Sequence, residues 1–550
     1  MKIMNQTIEK IETEKIFYSR VIARKNVEKE NVLYENSFKD THIFMYDYCV
    51  MRTGGYLILD FGREICGRVH IIFNYDDNAG KLRVRLGESV AETCAEKGEN
   101  NAGNYHSLRD CCFENVSWGD VSTSESGFRF VRIDLIEGDE IKLSAIYAES
   151  ILNGLKIKGD FRCDDEKINR IYRVAEKTLT LCVRRDDIWD GVKRDRVMWI
   201  GDFYPELLGA AVLYGDIPEF QKVLSSIKDF DGKWVNMIPA YSAWWIISLH
   251  KYYELFGNRE FTKKMLPYIG QIIDNFSVII KENGEVSYCN NKLAYFSGNE
   301  FFIDWPTNLT EDSKIGWRYL VIIALKRAKD LYKIFGFNCD KADRLLKYLY
   351  KFDYKKSGFK QVTALGVLAE MIPPEEARSL LKEGCSKGMT GFMGCIIMEA
   401  LQRIGEEDFI VELIKQYYGA MLDLGATTLW EDFDIDWLNE NPLPLDALPD
   451  PARKNIHANF GKFCYKGLRH SLCHGWSAGF IYIFYQYILG IKSLSAGYAK
   501  IKIEPHLCGL RFAEGKLPTI HGIISVRHEI IGGKIVSKVD VPESVEVYSG

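Results

Sequence analysis

The sequence predicts an all-helical middle region flanked by two β regions. Three observations carry that reading. Apolar residues fall in short, alternating runs before about residue 160; the period turns helical from about Asp164 to Gly490; alternation then returns. The chain has 550 residues, enough for several domains at ~100–200 residues each. The changes of period divide it at 1–160, 161–490 and 491–550.

In the first segment Tyr56–Asp60 (YLILD) and Arg68–Phe73 (RVHIIF) are apolar runs, and Leu82, Val84 and Leu86 alternate with Arg83 and Arg85. Phe128–Ile136 and Ile141–Tyr147 continue the pattern. Short strands separated by Gly, Asn and Asp suggest a β-sandwich. Ala91–Ser126 is polar and rich in Gly, Ser and Asn, and reads as a long loop.

The helical segment opens with Asp164-Asp165 as cap candidates, and Ile168, Ile171 and Val174 share one face. The same period recurs over 242–256, 260–281, 314–335, 375–383, 391–404 and 408–424. Gly257, Gly336, Gly384, Gly405, Gly425 and Gly490 sit where C-terminal caps belong. With weaker segments this makes about twelve helices whose short connections imply antiparallel neighbours. Either an α-solenoid or a closed double ring of six hairpins satisfies that count, and the missing 34- or 40-residue repeat disfavours common solenoids. In the last segment 500–504, 523–528 and 535–541 alternate. A β-domain of roughly 60 residues is marginal alone and should pack on the helices.

Composition narrows the function. Lys+Arg is 71 and Asp+Glu is 76, a formal charge of -5 that gives no footprint for nucleic acid or an anionic membrane. No run approaches 18 uncharged apolar residues, and the first residues lack the apolar core of a signal peptide. The fourteen cysteines are scattered without a C-x-x-C. We therefore expect a cytoplasmic protein with reduced thiols. With no H-E-x-x-H, G-x-G-x-x-G, P-loop or G-x-S-x-G, no metal or cofactor is expected and a serine nucleophile has no context.

Aromatics are 13% of the chain, and ten of its 11 tryptophans lie between Trp189 and Trp476. Any one suits a core. Several adjoin carboxylates, however: Trp189-Asp190, Asp304-Trp305, Trp430-Glu431 and Asp436-Trp437. A flat ring beside a hydrogen-bonding carboxylate matches a sugar's apolar face and its hydroxyls, and carboxylates run glycoside hydrolysis. Asp190–Asp202 (DGVKRDRVMWIGD) concentrates three Asp, three cations and a Trp, with two glycines. It reads as a loop with a functional face, against the plainer alternative of a solvated charged loop.

That segment resembles the signature of the inverting α-L-rhamnosidases of glycoside hydrolase family 78, D-C-P-x-R-(D)-E-R-x-G-W-x-G-D. Gly191 replaces its Cys, and Asp195 replaces its general-acid Glu, as in a D-G-x-K-R-D-R branch. Gly425–Glu431 (GATTLWE) is similar to the block carrying the general base, here Glu431. Asp304-Trp305-Pro306 resembles a G-D-W segment, and Ser471–Gly479 (SLCHGWSAG) an S-L-x-H block. Leu59–Gly67, Gly127–Ile133, Pro505-His506 and Pro518–Ile523 look like the family's β regions. The resemblance implies an (α/α)6 barrel flanked by an N-terminal β-sandwich and a small C-terminal β-domain. It implies Asp195 and Glu431 as catalytic carboxyls, with Asp190, Arg194, Trp199, Asp202, Asp304, Trp305, Trp430 and His474 as substrate contacts. The implied partner is a rhamnose-containing small glycoside or oligosaccharide; a homodimer is a separate expectation that the resemblance does not supply. Inversion requires carboxyls roughly 6.5–9.5 Å apart. The competing readings are a related glycosidase for another deoxy- or uronic sugar and a non-catalytic carbohydrate-binding protein.

Overall fold

The computed structural model describes residues 12–37, 47–75, 80–104, 108–116, 119–287, 300–308, 310–352, 356–462 and 464–548. The chain forms two compact units. The first comprises Met1–Leu155, Gly191–Arg196 and Glu440–Cys473; the second comprises Lys156–Asp190, Val197–Asn439 and His474–Gly550.

The first unit is built on an eight-stranded sheet. The apolar runs at 56–60 and 68–73 belong to one strand, Cys49–Phe73. It pairs antiparallel with Arg20–Glu28, Ser126–Glu137 and Gly119–Ser122, and parallel with Glu140–Ile151. Between Asp60 and Ile65 the register against 126–137 breaks. There Gly62 takes φ +74°, a conformation open chiefly to glycine. Its N–H donates to the buried Asp60 carboxylate at 2.7 Å, which also accepts from Arg129 at 2.8 and 2.9 Å. Leu57, Leu59, Ile65, Val69 and Ile71 pack with Val84, Val131 and Ile133 to form the core.

The stretch 91–126, expected to be a loop, is largely regular. Ser89 caps a helix at Val90–Cys94, accepting from Glu92 N at 3.1 Å. Strands follow at Asp110–Val116 and Gly119–Ser122, while 105–107 and 117–118 lie outside the described residues. Asp110–Val116 ends the sheet's path, and among its described side chains Cys111 and Phe113 are packed against the core. An edge strand with so few buried side chains leaves almost no alternation to read.

In the second unit, twelve α-helices lie between Glu166 and Ile483 among the described residues. The periodicity located six of them to within a few residues: Pro239–Phe256, Arg259–Ile279, Glu311–Phe335, Pro374–Lys382, Gly391–Arg403 and Asp408–Asp423. Gly257 and Gly336 close theirs with φ of +62° and +73°. Six helices touch in cyclic order: Ile200–Tyr214, Pro239–Phe256, Glu311–Phe335, Lys360–Leu368, Gly391–Arg403, Ile481–Ile483, and back to the first. Others lie against consecutive members; Arg259–Ile279, for instance, contacts both Pro239–Phe256 and Glu311–Phe335. The first of the six begins directly after Trp199.

The tripartite division does not follow the units. Asp160–Cys163 pairs antiparallel with Phe512–Thr519, in a sheet completed by Gly522–Ile531 and Lys534–Asp540. A boundary at 160 thus runs through a strand of the C-terminal sheet, and residues 440–473, assigned to the helices, pack in the first unit. Four residues are too short a strand to show a period. No helix among the described residues is long and apolar enough to cross a membrane, and no disulfide joins the described cysteines.

Candidate active site

In the second unit three blocks that lie far apart in sequence are laced together through backbone. His474 N donates to Leu429 O at 2.9 Å, Trp476 Nε1 to Glu431 O at 3.1 Å, and Ser477 Oγ to Trp430 O at 2.6 Å. Gly475 N donates to Asp190 O at 2.8 Å, and Leu429 N to Thr178 Oγ1 at 2.9 Å. The turn 474–477 therefore holds Glu431 and Asp190 in fixed positions. Asp190 also closes the base of the loop that follows it: its carboxylate accepts from Val197 N at 3.0 Å, and its N–H donates to Val197 O.

Asp202 lies in the first turn of Ile200–Tyr214, where the helix dipole favours a carboxylate. Its Oδ2 is 3.2 Å from His474 Nε2, and both residues are buried. Burial works against charge on His474, but Glu431, Asp202 and Asp190 outweigh it and raise the imidazole's pKa. Burial likewise raises Asp202, with Glu431 adding to it and His474 opposing. Glu206 follows one turn later on the same face. Burial, then Asp202 and Asp190, push its pKa well above the ordinary value. Gly475 passes so close that a Cβ there would stand 2.0 Å from Glu206 Oε1.

Asp304 caps the short turn Trp305–Thr307 and accepts from Thr390 Oγ1 at 2.7 Å. Burial pushes its pKa up to about 7, against the Thr390 bond and with help from Asp432. Thr390 in turn caps Gly391–Arg403, accepting from Met393 N. Trp199 and Trp305 are half-buried and joined through an arc of edge-on rings. Centroids run Trp199–Tyr241 6.1 Å, Tyr241–Phe302 6.2 Å and Phe302–Trp305 5.2 Å. Trp430 departs from the expected surface role: it is 1% exposed and lies edge-on against Phe433, so its ring is core and its carbonyl anchors the Ser477 turn.

Residues 191–196 of the signature pack within the first unit. Asp195 and Arg196 both adopt left-handed backbone, φ +57° and +54°. Arg194 ion-pairs with Asp195, donates from Nε to Arg469 O at 2.9 Å, and lies 3.9 Å above the Tyr465 ring. Arg194 is thus bonded to protein and buried, unlike the free sugar contact expected of it. Arg196 Nε donates to Val192 O. Lys193 is buried, its Nζ 3.1 Å from Glu88 and 3.3 Å from Glu92, and it donates to Leu468 O at 2.8 Å and His470 O at 2.6 Å. Glu88, Glu92 and His457 have ligand atoms within 4.8 Å of one another, the spacing of a small cation site. Lys193 Nζ already sits among them, 3.4 Å from His457 Nε2.

The structure thus brings Asp190, Asp202, Glu431 and His474 together in the second unit, with Asp304, Trp199 and Trp305 linked through Thr390 and the aromatic arc. Sequence reasoning missed Glu206, Tyr241, Phe302, Thr390 and the Lys193 cluster. Glu206 had a signal, its i+4 spacing from Asp202; Tyr241 and Phe302 sat unmarked in apolar runs.

The fold matches that of solved rhamnosidases of glycoside hydrolase family 78. Residues 490–548 match the family model for the bacterial alpha-L-rhamnosidase C-terminal domain. The chain is similar to the GH78 family rhamnosidase of Bacillus sp. GL1, with TM-score 0.71 and 19% identity over 94% of this chain and 55% of that one. It is also similar to the Streptomyces avermitilis alpha-L-rhamnosidase complexed with L-rhamnose (0.70, 16%, 90% and 48%) and to a Klebsiella oxytoca rhamnosidase with rhamnose bound (0.64, 20%, 80% and 88%). The chain spans about half the length of the Bacillus and Streptomyces proteins. No curated protein matches it by sequence.

Proposed function

We propose that this chain is an α-L-rhamnosidase that removes terminal rhamnose from small glycosides or oligosaccharides with inversion of configuration. The observation that carries the reading is the convergence of Asp190, Asp202, Glu431 and His474, drawn from three separate signature blocks, on one hydrogen-bonded frame. The matched C-terminal domain and the likeness to rhamnosidase folds support it. The cyclic contact order of the six helices supports reading them as the inner ring of an (α/α)6 barrel, with the site at their N-terminal ends.

Asp195 is the general acid in this reading, protonating the departing oxygen, and Glu431 is the general base, taking a proton from the attacking water on the opposite face. Asp190, Asp202 and His474 hydrogen-bond the sugar, while Trp199 and Trp305 offer it their half-exposed rings. Only the acid's contribution depends on the leaving group. Asp195→Asn should lose ~10²–10⁴-fold on methyl α-L-rhamnoside and far less on the 4-nitrophenyl glycoside, whose leaving group departs unprotonated. Glu431→Gln should lose both activities. β-L-rhamnose should be the first product seen by NMR; α-L-rhamnose first would mean retention. Absence of turnover on every aryl glycoside, with sugar binding kept, would establish the non-catalytic alternative.

A further inference from the structure

We propose that Lys193 is a positioning residue, whose buried ammonium fixes the loop carrying Asp195. The inference rests on Asp195 being the general acid. Two consecutive non-glycine residues in left-handed conformation, Asp195 and Arg196, are costly and persist only where their surroundings over-determine them. Lys193, two residues upstream, supplies such a constraint. Removing an ammonium from water costs several kcal/mol unless well-placed acceptors replace the solvent. Here Glu88, Glu92 and the carbonyls of Leu468 and His470 all lie within 3.3 Å of Nζ.

The cluster's geometry suits one resident cation. Burial, together with Lys193, lowers the pKa of His457 well below its ordinary value, and burial with the neighbouring Glu88 raises that of Glu64 well above its own. The three-ligand geometry of Glu88, Glu92 and His457 would suit a metal ion, but a metal would leave the loop free. An ammonium on a side chain brings its backbone with it. The Lys193 side chain thus ties the loop to Glu88, Glu92 and 468–470, while Arg194 is tied to Arg469.

The test is kinetic. Lys193→Met keeps the length of the stem and removes the charge. It should lower kcat about 10- to 100-fold on methyl α-L-rhamnoside and no more than about threefold on the 4-nitrophenyl glycoside, with KM on both within about threefold. This is the leaving-group signature of a misplaced acid, which a general loss of folded enzyme does not produce. Because Lys193→Met leaves two carboxylates buried without their cation, Glu92→Gln/Lys193→Met, which removes one charge of each sign, is measured beside it and should show the same split. Equal losses on both substrates, or no loss on either, overturn the proposal. So does failure of both variants to fold, which would make Lys193 a stability element. Asp195→Asn run in parallel separates the two readings. If it shows the split and the Lys193 variants do not, only the positioning role falls; if it shows none, the acid assignment falls and takes the positioning role with it.

Discussion

Gly201→Ala sets two effects of opposite sign against each other at one position. Gly201 is the second residue of Ile200–Tyr214 and has no positive φ, so its backbone accepts alanine. Helix propensity alone favours alanine by up to ~1 kcal/mol. Packing opposes it. A Cβ would lie 2.3, 2.6 and 2.9 Å from Cε1, Cζ and Cδ1 of Tyr241, where ordinary contact is 3.4–4 Å. The ring must retreat by about 1 Å, and it is boxed in: Tyr241 is 5% exposed, between Trp199 and Phe302, with its hydroxyl 3.5 Å from Asp202 Oδ1. Overpacking of this kind costs ~1–3 kcal/mol, and a ring this confined falls in the upper part of that range, so after propensity is subtracted the net effect is destabilising by about 1–2 kcal/mol. Urea unfolding of the wild type, Gly201→Ala, Tyr241→Ala and the double variant measures it. The double variant should recover at least ~1 kcal/mol relative to the sum of the single changes, because the added methyl then meets space. A Gly201→Ala protein as stable as wild type, or strict additivity, would refute the packing argument and show that the ring moves freely.

Asp304 binds its proton more tightly folded than unfolded, about 7 against 3.8. The native state therefore holds an extra proton between those values, and this group's contribution to stability falls as pH rises through the window. Asp304→Asn should flatten that part of the stability–pH profile; a profile that keeps its slope would assign it to another group. Thr390 both caps Gly391–Arg403 and donates to Asp304, so Thr390→Ala should cost ~1–2 kcal/mol in chemical denaturation and Thr390→Ser little. Equal costs for the two would mean that the methyl, not the hydroxyl, matters.

Much of the helical region was legible because helices such as Arg259–Ile279 and Asp408–Asp423 bury one face, which leaves a period, and usually a glycine stands where the helix must stop, whereas Ile200–Tyr214 is buried all round and leaves no period to read. Gly257 and Gly336 are such stops. The strand at 110–116 was not legible, because Cys111 and Phe113 alone anchor it among its described side chains. The carboxylates of the site could be marked one by one through signature blocks, but the frame holding them is backbone hydrogen bonding at 429–431 and 474–477, to which side-chain identity is nearly blind. Trp430 misled for a related reason: adjacency to Glu431 says nothing about which way a ring points. The cluster around Lys193 joins residues near 90, 193, 457 and 470, and no local pattern connects them.

Neither unit is a continuous stretch of chain, and this bears on how the protein comes off the ribosome. The first unit is complete only when residue 473 has emerged, 318 residues after 155; at ~5–20 residues per second that is roughly 15–60 s. During that time Glu88 and Glu92 have neither His457 nor the 468–470 carbonyls around them, and the edge Asp160–Cys163 has no Phe512–Thr519 to pair with. Folding from the N-terminus domain by domain is closed to this chain. Its nascent form must carry unpaired strand edges and an unfinished buried-charge cluster for longer than most small domains take to fold, which makes chaperone dependence and synthesis rate direct determinants of its yield.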